Sequence, residues 1–334
     1  MSRGLPLPRL TLGLVLAASL VGLSLAALTI GPFPLSVGET LAALFGAGEP
    51  QSELVVQNIR LPRVVAALLV GAALAAAGAS YQTLFRNPLV SPDILGVSAG
   101  AGLGAVMGIF LSLPVAFIQL FAFAGGMAAV LLVMVVAAAV RNTDQVLALV
   151  LTGVVIGALA GAATSLLKVL ADPYDQLPAI TFWLLGSLAS TTTADILPAL
   201  PAVALGLVPL FLLRWRINVL SLGDDEARAL GVEAGRIRFI VIAAATLITA
   251  SVTALAGVVG WVGLVIPHIA RMIVGPSFAR LLPVSAALGA AYLLVVDTLA
   301  RTIGEIEVPL GILTAVIGAP FFVWLLARGR RGWS

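Results

Sequence analysis

The chain has 334 residues, of which 61% are hydrophobic and only 10% charged, and its mean hydropathy is +1.15. A soluble domain carries about 25% charged residues, so the two-domain soluble enzyme that the length alone would suggest is set aside for a lipid-embedded fold. The 18 basic residues, all arginine except Lys168, exceed the 15 acidic ones. No basic patch with interleaved aromatics appears, so the excess reads as membrane topology rather than nucleic-acid binding. Cysteine is absent, which removes disulfides, cysteine-ligated clusters and thiolate nucleophiles.

Taken in chain order, ten apolar runs are predicted as membrane helices of one all-α, polytopic domain covering residues 1–334. The first, Leu10–Ile30, follows Arg3 and Arg9 and is longer than the core of a signal peptide, so it is read as a retained helix. The others run Val64–Thr83, Ile94–Leu111, Val115–Val140, Val146–Leu170, Ile196–Leu213, Ile237–Val259, Val262–Val274, Leu282–Ala300 and Leu310–Ala327. Ten crossings from a cytoplasmic amino terminus put 14 basic residues inside and only Arg60, Arg63, Lys168 and Arg301 outside. That split obeys the positive-inside rule and predicts that both termini are cytoplasmic. Asp297, near a span end, needs an interface or a partner. Gly78 and Gly257, and ten residues on Pro88 and Pro267, repeat at an offset of 179 residues. In this topology the two copies run in opposite directions, the plan of an inverted repeat.

Catalytic machinery is not legible. His268 is the sole histidine and has no carboxylate cluster near it in sequence, so it reads as a packing or hydrogen-bonding residue and not a metal ligand. No phosphate-cradling Gly-x-x-x-x-Gly-Lys-[Ser/Thr] loop occurs, so ATP-driven movement would need a separate hydrolysing subunit. A self-powered secondary transporter would need mid-membrane ionisable groups that the spans hardly contain, and a membrane scaffold or sensor is the other remaining reading.

Three polar segments carry the functional expectations. Arg214–Arg238 contains Ser221-Leu222-Gly223-Asp224-Asp225-Glu226-Ala227-Arg228-Ala229-Leu230-Gly231. Acidic residues open a short helix there, Asp224 and Arg228 are spaced to share one face, and Gly231 can end it, so the region about 221–232 reads as a docking helix on the inner face. Arg60-Leu61-Pro62-Arg63 starts the second span on the outer side against the charge rule. It reads either as interfacial anchoring or as a positive platform for acidic side chains of a partner, with Arg301 joining it and Glu305 and Glu307 tempering the field. Asp172–Pro178 followed by about residues 179–188 reads as an external turn and a short helix at a pore mouth.

Arg60–Arg63, Asn87-Pro88-Leu89-Val90-Ser91-Pro92-Asp93-Ile94-Leu95-Gly96-Val97, Leu220–Gly223, Gly263–Arg271 and Pro309–Phe322 together resemble the FecCD-type permeases of binding-protein-dependent ABC importers. The resemblance extends from residue 60 to the end of the chain. It implies a BtuC-like, type II importer permease in a bacterial inner membrane, forming a homodimer with the pore on its two-fold axis. It implies two cytoplasmic ATPase subunits, which use the ATP-Mg, docking on Leu222, Asp224, Asp225, Glu226, Arg228 and Leu230. A substrate-binding protein is expected outside at Arg60, Arg63 and Arg301. No catalytic residue, metal site or cofactor of its own is implied. Pore-lining candidates are Thr152, Gly153, Gly157, Gly161 and Thr164, although a glycine-rich helix can equally serve close packing. The expected substrate is an iron chelate, a ferric siderophore or haem, with cobalamin and molybdate or tungstate as alternatives.

Overall fold

The computed structural model describes residues 9–140 and 144–328. Arg3, Arg141, Arg330 and Arg331, four of the charges assigned to the inner side, lie outside the described residues. Every described regular element is helical: α1 Arg9–Thr29, α2 Val37–Leu44, α3 Pro50–Glu53, α4 Leu61–Leu84, α5 Val97–Phe110, α6 Val115–Ala139, α7 Gln145–Leu170, α8 Gln176–Leu185, α9 Thr193–Leu212, α10 Arg214–Leu220, α11 Asp224–Ala229, α12 Ala234–Ala256, α13 Val262–Val274, α14 Phe278–Ala300 and α15 Leu310–Arg328. A π-helical turn, Leu54–Arg60, joins α3 to α4, and a 3-10 turn, Pro92–Leu95, leads into α5.

Among the described residues, seven helices are long and apolar enough to cross a membrane. Shorter apolar helices occupy the third, eighth and tenth expected spans, Val97–Phe110, Val262–Val274 and Leu310–Leu325. The second expected span, begun at Val64, is instead the latter part of a continuous helical run, Pro50–Leu84. Pro62 conceals this in the sequence, because a proline normally stops or starts a helix. Here the π turn accommodates it: Leu61 N–H bonds back five residues to Val56, and Pro62 follows in the first turn of α4. The helix expected on the outer side spans Gln176–Leu185, three residues earlier than expected, and Gly186 with φ 74° turns the chain at its end. The 179-residue echo pairs Gly78 within α4 with Gly257 just past α12, and Pro88 in a loop with Pro267 inside α13.

Two helices form the interior: 78% of the span containing α4 and 72% of α12 are buried. The apolar force that drives soluble cores is absent between lipid and helix, so close approach of small residues does the packing. On α4, Ala66, Ala67, Ala73, Ala75, Ala76, Ala77 and Ala79 have no exposed surface. Gly71 of α4 faces Gly289 of α14 backbone to backbone, and Gly78 faces Gly263 of α13. In each case a Cβ would overlap the opposing carbonyl. Tyr81, fully buried, bonds its hydroxyl to Thr246 of α12 at 3.1 Å. The rim is thinner. Few residues of these outer helices are buried: Ala27 and Leu28 in α1, and Ala148, Leu149, Gly153 and Ala160 in α7.

Off the bundle, α2 opens with a closed capping box in which Ser36 and Glu39 each accept from the other's backbone. The Ser36 backbone and hydroxyl groups hold the Glu39 carboxyl below its ordinary carboxylate range.

Gly71→Ala is expected to destabilise the folded protein by about 1–3 kcal/mol, since the α4–α14 contact must open. Gly22→Ala in α1, where a Cβ meets nothing within 4 Å, leaves the thermal unfolding midpoint in detergent unchanged or raises it. Equal midpoints for the two variants would contradict this packing account.

Candidate functional sites at the two ends of the bundle

The end of the bundle where α1 and α14 finish and α4 begins holds a cluster of charged residues. Helix α1 stops there with its last carbonyls unpaired within the helix, as every helix does. Arg60 donates to the carbonyls of Leu28 at 2.7 Å and Thr29 at 3.0 Å, and also to that of Phe33. Arg301 donates to the carbonyl of Ala27. Two guanidinium groups thus cap the negative end of the α1 dipole. Gly31 makes the approach possible, since a Cβ there would lie 2.8 Å from Arg60 Nη2 and 3.3 Å from Arg301 Nη1.

Arg63 is held by two carboxylates. Its Nε donates to Asp297 Oδ1 and Oδ2 at 2.9 and 3.0 Å, and its Nη1 and Nη2 donate to Glu307 at 3.0 and 2.5 Å. Asp297 is fully buried, so Arg63 is the partner that its position in the sequence demanded, and Arg301 Nε lies 3.9 Å away. Arg60 and Arg63 are only 4% and 8% exposed. The expected open platform is therefore a set of buried guanidinium groups already bonded within the chain. With Pro32, Phe33, Ile59 and Glu305 they line a cavity of about 370 Å³. Arg60 has no carboxylate among its hydrogen-bond partners.

Beside this cluster α8 is stitched into the bundle. Ser187 N–H bonds to Ala256 at the end of α12, and Leu310 N–H at the start of α15 bonds to Gly186, both at 2.9 Å. A cleft of about 360 Å³ lined by Gln119, Trp183, Ser187, Thr191 and Asp195 opens next to it.

At the opposite end, the region expected as one docking helix is two short ones, α10 and α11. Gly223, with φ 138°, leads into α11, and Gly231, with φ 74°, ends it. The amides of Gly231 and Val232 bond to the carbonyls of Arg228 and Ala227 at 2.9 and 2.8 Å, a complete Schellman stop. Ala227 is buried, whereas Leu222 and Leu230 are 59% and 53% exposed. The expected Asp224–Arg228 pair does not form. Arg228 makes a loose, exposed contact with Asp225 at 3.5 Å, and Asp224 turns inward to Arg238 at 2.9 and 3.1 Å. The helix is only six residues long, too short for spacing alone to determine pairing, and the buried guanidinium of Arg238 is the stronger competitor. In the sequence Arg238 stands out only as one of the charges expected on the inner side.

Along α7 the candidate residues divide. Gly153 is a packing glycine: a Cβ there would overlap the Ile94 carbonyl. Gly157 and Gly161 face open space, and Thr152 and Thr164 are half-buried on the same helix. His268 Nδ1 is buried without a hydrogen-bond partner, and among the described residues no group of three or more His, Cys, Asp or Glu could hold a metal.

Together these features define a helical membrane protein with a charged cavity at one end, short helices with two exposed leucines at the other and an uncovered glycine-bearing helix between them. The chain belongs to the FecCD transport family, whose profile matches residues 16–328. It is 44% identical to a probable iron chelatin transport system permease protein of Helicobacter pylori over 83% of each chain. It is 40% identical to the molybdate import system permease protein MolB of Haemophilus influenzae over 97% of each. A solved inward-facing structure of a metal-chelate type ABC transporter superposes with a TM-score of 0.88 at 37% identity, covering 96% of this chain and 100% of that one.

Removing Arg63 strands the carboxylate of the fully buried Asp297, whose remaining cation is Arg301 at 3.9 Å. Arg63→Met is expected to cost about 3–5 kcal/mol, while replacing both residues together by Arg63→Met and Asp297→Leu costs far less. Unfolding of the purified protein in graded denaturant compares the two. A double variant as damaged as the single one would contradict the pairing.

Proposed function

We propose that this chain is the transmembrane permease of a binding-protein-dependent ABC importer, with an iron chelate as substrate. The observation that carries the reading is α7. This long apolar helix crosses between the charged cavity and the docking face, is largely uncovered in the single chain, and turns Gly157 and Gly161 toward empty space. Two copies related by a two-fold axis would enclose a path with this face, with α15 alongside. Thr152 and Thr164 add weak polar contacts to that path. A passage that must release a bulky chelate is better lined by small groups than by strong ligands.

The proposed topology has ten crossings, the three shorter helices α5, α13 and α15 included, in two inverted halves with both termini in the cytoplasm of a bacterial cell. Leu222 and Leu230, exposed beside Asp225, Glu226 and Arg228, form the face for an ATPase subunit, one on each protomer. The cavity bordered by Arg60, Arg63 and Arg301 accepts an acidic side chain of the external binding protein. Arg60, bonded only to carbonyls, offers it the least neutralised charge. ATP-Mg belongs to the ATPase partner. A molybdate or tungstate substrate is the second reading, favoured by the match to the Haemophilus influenzae permease along nearly the whole chain.

Proteoliposomes containing the permease, its ATPase and its binding protein test the assignment with ferric citrate, haem, cobalamin and molybdate offered in parallel. ATP-dependent accumulation of an iron compound is expected. Accumulation of molybdate alone replaces the substrate, and no accumulation by an assembled complex overturns the importer reading. Leu222→Asp or Leu230→Asp is expected to weaken ATPase binding by about tenfold, read by copurification, because a charge is placed in an apolar contact. Arg60→Glu is expected to weaken binding-protein docking more at low than at high ionic strength. A loss independent of salt would assign Arg60 to capping α1 alone.

A further inference from the structure

Arg238 occupies a position that the functional reading above does not use. It sits in the second turn of α12, is 5% exposed, and its guanidinium reaches two other elements. Nη2 donates to both oxygens of Asp224, the first residue of α11, at 2.9 and 3.1 Å. Nη1 donates to Oε1 of Gln145, the first residue of α7, at 2.5 Å. Nε is buried and has no hydrogen-bond partner. One planar group therefore ties the beginning of the docking helix to the beginning of the uncovered helix, from a base on one of the two most buried helices in the bundle.

Resting on the importer reading, we propose that Arg238 is the positioning residue that transmits movement of α11 to α7, with Asp224 and Gln145 as its two arms. The geometry suits transmission better than anchoring. A guanidinium is rigid and flat, so displacing Asp224 along one edge turns the other edge, which holds Gln145. The arms are unequal. The Asp224 arm is a charged, two-oxygen contact that moves with α11, whereas the Gln145 arm is a single bond to a neutral acceptor and can break and reform at little cost. Helix α12 is packed against α4 and stays in place while its attached side chain reorients. Asp224 is thereby removed from the residues that face the ATPase. Contact with the ATPase falls to Leu222 and Leu230, while Asp224 carries the resulting movement inward.

The test uses the assembled permease, ATPase and binding protein in liposomes. Its probe is whichever of ferric citrate, haem, cobalamin or molybdate the wild-type complex accumulates. Gln145→Ala cuts the α7 arm and leaves the ion pair intact, while Asp224→Asn weakens the α11 arm. Both variants are expected to retain the ATPase and to hydrolyse ATP, while substrate moved per ATP falls about three- to tenfold, within the range of coupling between residues in contact. Exchanging the charges with Asp224→Arg and Arg238→Asp together recovers part of the loss, since an amide at 145 can donate to a carboxylate. Wild-type transport per ATP in both single variants overturns the proposal. Loss of the ATPase from the Asp224→Asn complex, with Gln145→Ala unaffected, also overturns it and makes Asp224 a docking contact. Failure of the wild-type complex to accumulate any probe falls on the importer reading instead.

Discussion

Backbone groups in lipid have no water to turn to, and the capping of α1 by Arg60 and Arg301 is where this constraint is felt most sharply. The final carbonyls of a helix must find donors inside the protein. Two arginines provide them, Arg60 at the end of the π turn before α4 and Arg301 just past α14, which fastens α1 to the interior of the bundle. A third arginine beside them, Arg63, is neutralised by Asp297 and Glu307, and Asp297 also lies 3.9 Å from Arg301. Hydrogen-bond satisfaction at the end of α1 thus accounts for two of the arginines that border the charged cavity and for a glycine at position 31.

The remainder of the bundle follows from small residues. Alanine and glycine along α4 let α13 and α14 approach at backbone distance, and this concentrates packing on one side of the molecule. Helix α7 receives little of it. Its large apolar residues, among them Leu151, Val155, Leu159 and Leu166, stay exposed. The guanidinium of Arg238 lies where α7 meets α11, bonded to the first residue of each.

Much of this was legible beforehand. Each of the ten expected spans coincides with a helix, because runs of apolar residues separated by brief polar clusters have few other ways to satisfy their backbones in lipid. The stop at Gly231 was readable from its residue type, since only a left-handed residue completes that turn cheaply. Boundaries were less secure where a local rule had a tertiary exception. Pro62 suggested a helix start and proved to lie within a longer helical run, and Gly186 moved the end of α8. Gly153, Gly157 and Gly161 were alike in sequence and differ in space, the first packed and the other two open.

Composition, hydropathy and charge placement by themselves determined an all-helical membrane protein with polar clusters at its two ends, since these properties depend on transfer energies summed over many residues. Pairing was decided only by the tertiary structure. Asp224 turned from Arg228 to Arg238, Arg63 found Asp297 at a separation of 234 residues, and Arg60 and Arg63, expected on the outer side, are buried in internal bonds. The reason is physical: a charge in a medium of low dielectric bonds to whichever opposite group the fold brings within reach, and sequence spacing holds no record of that distance.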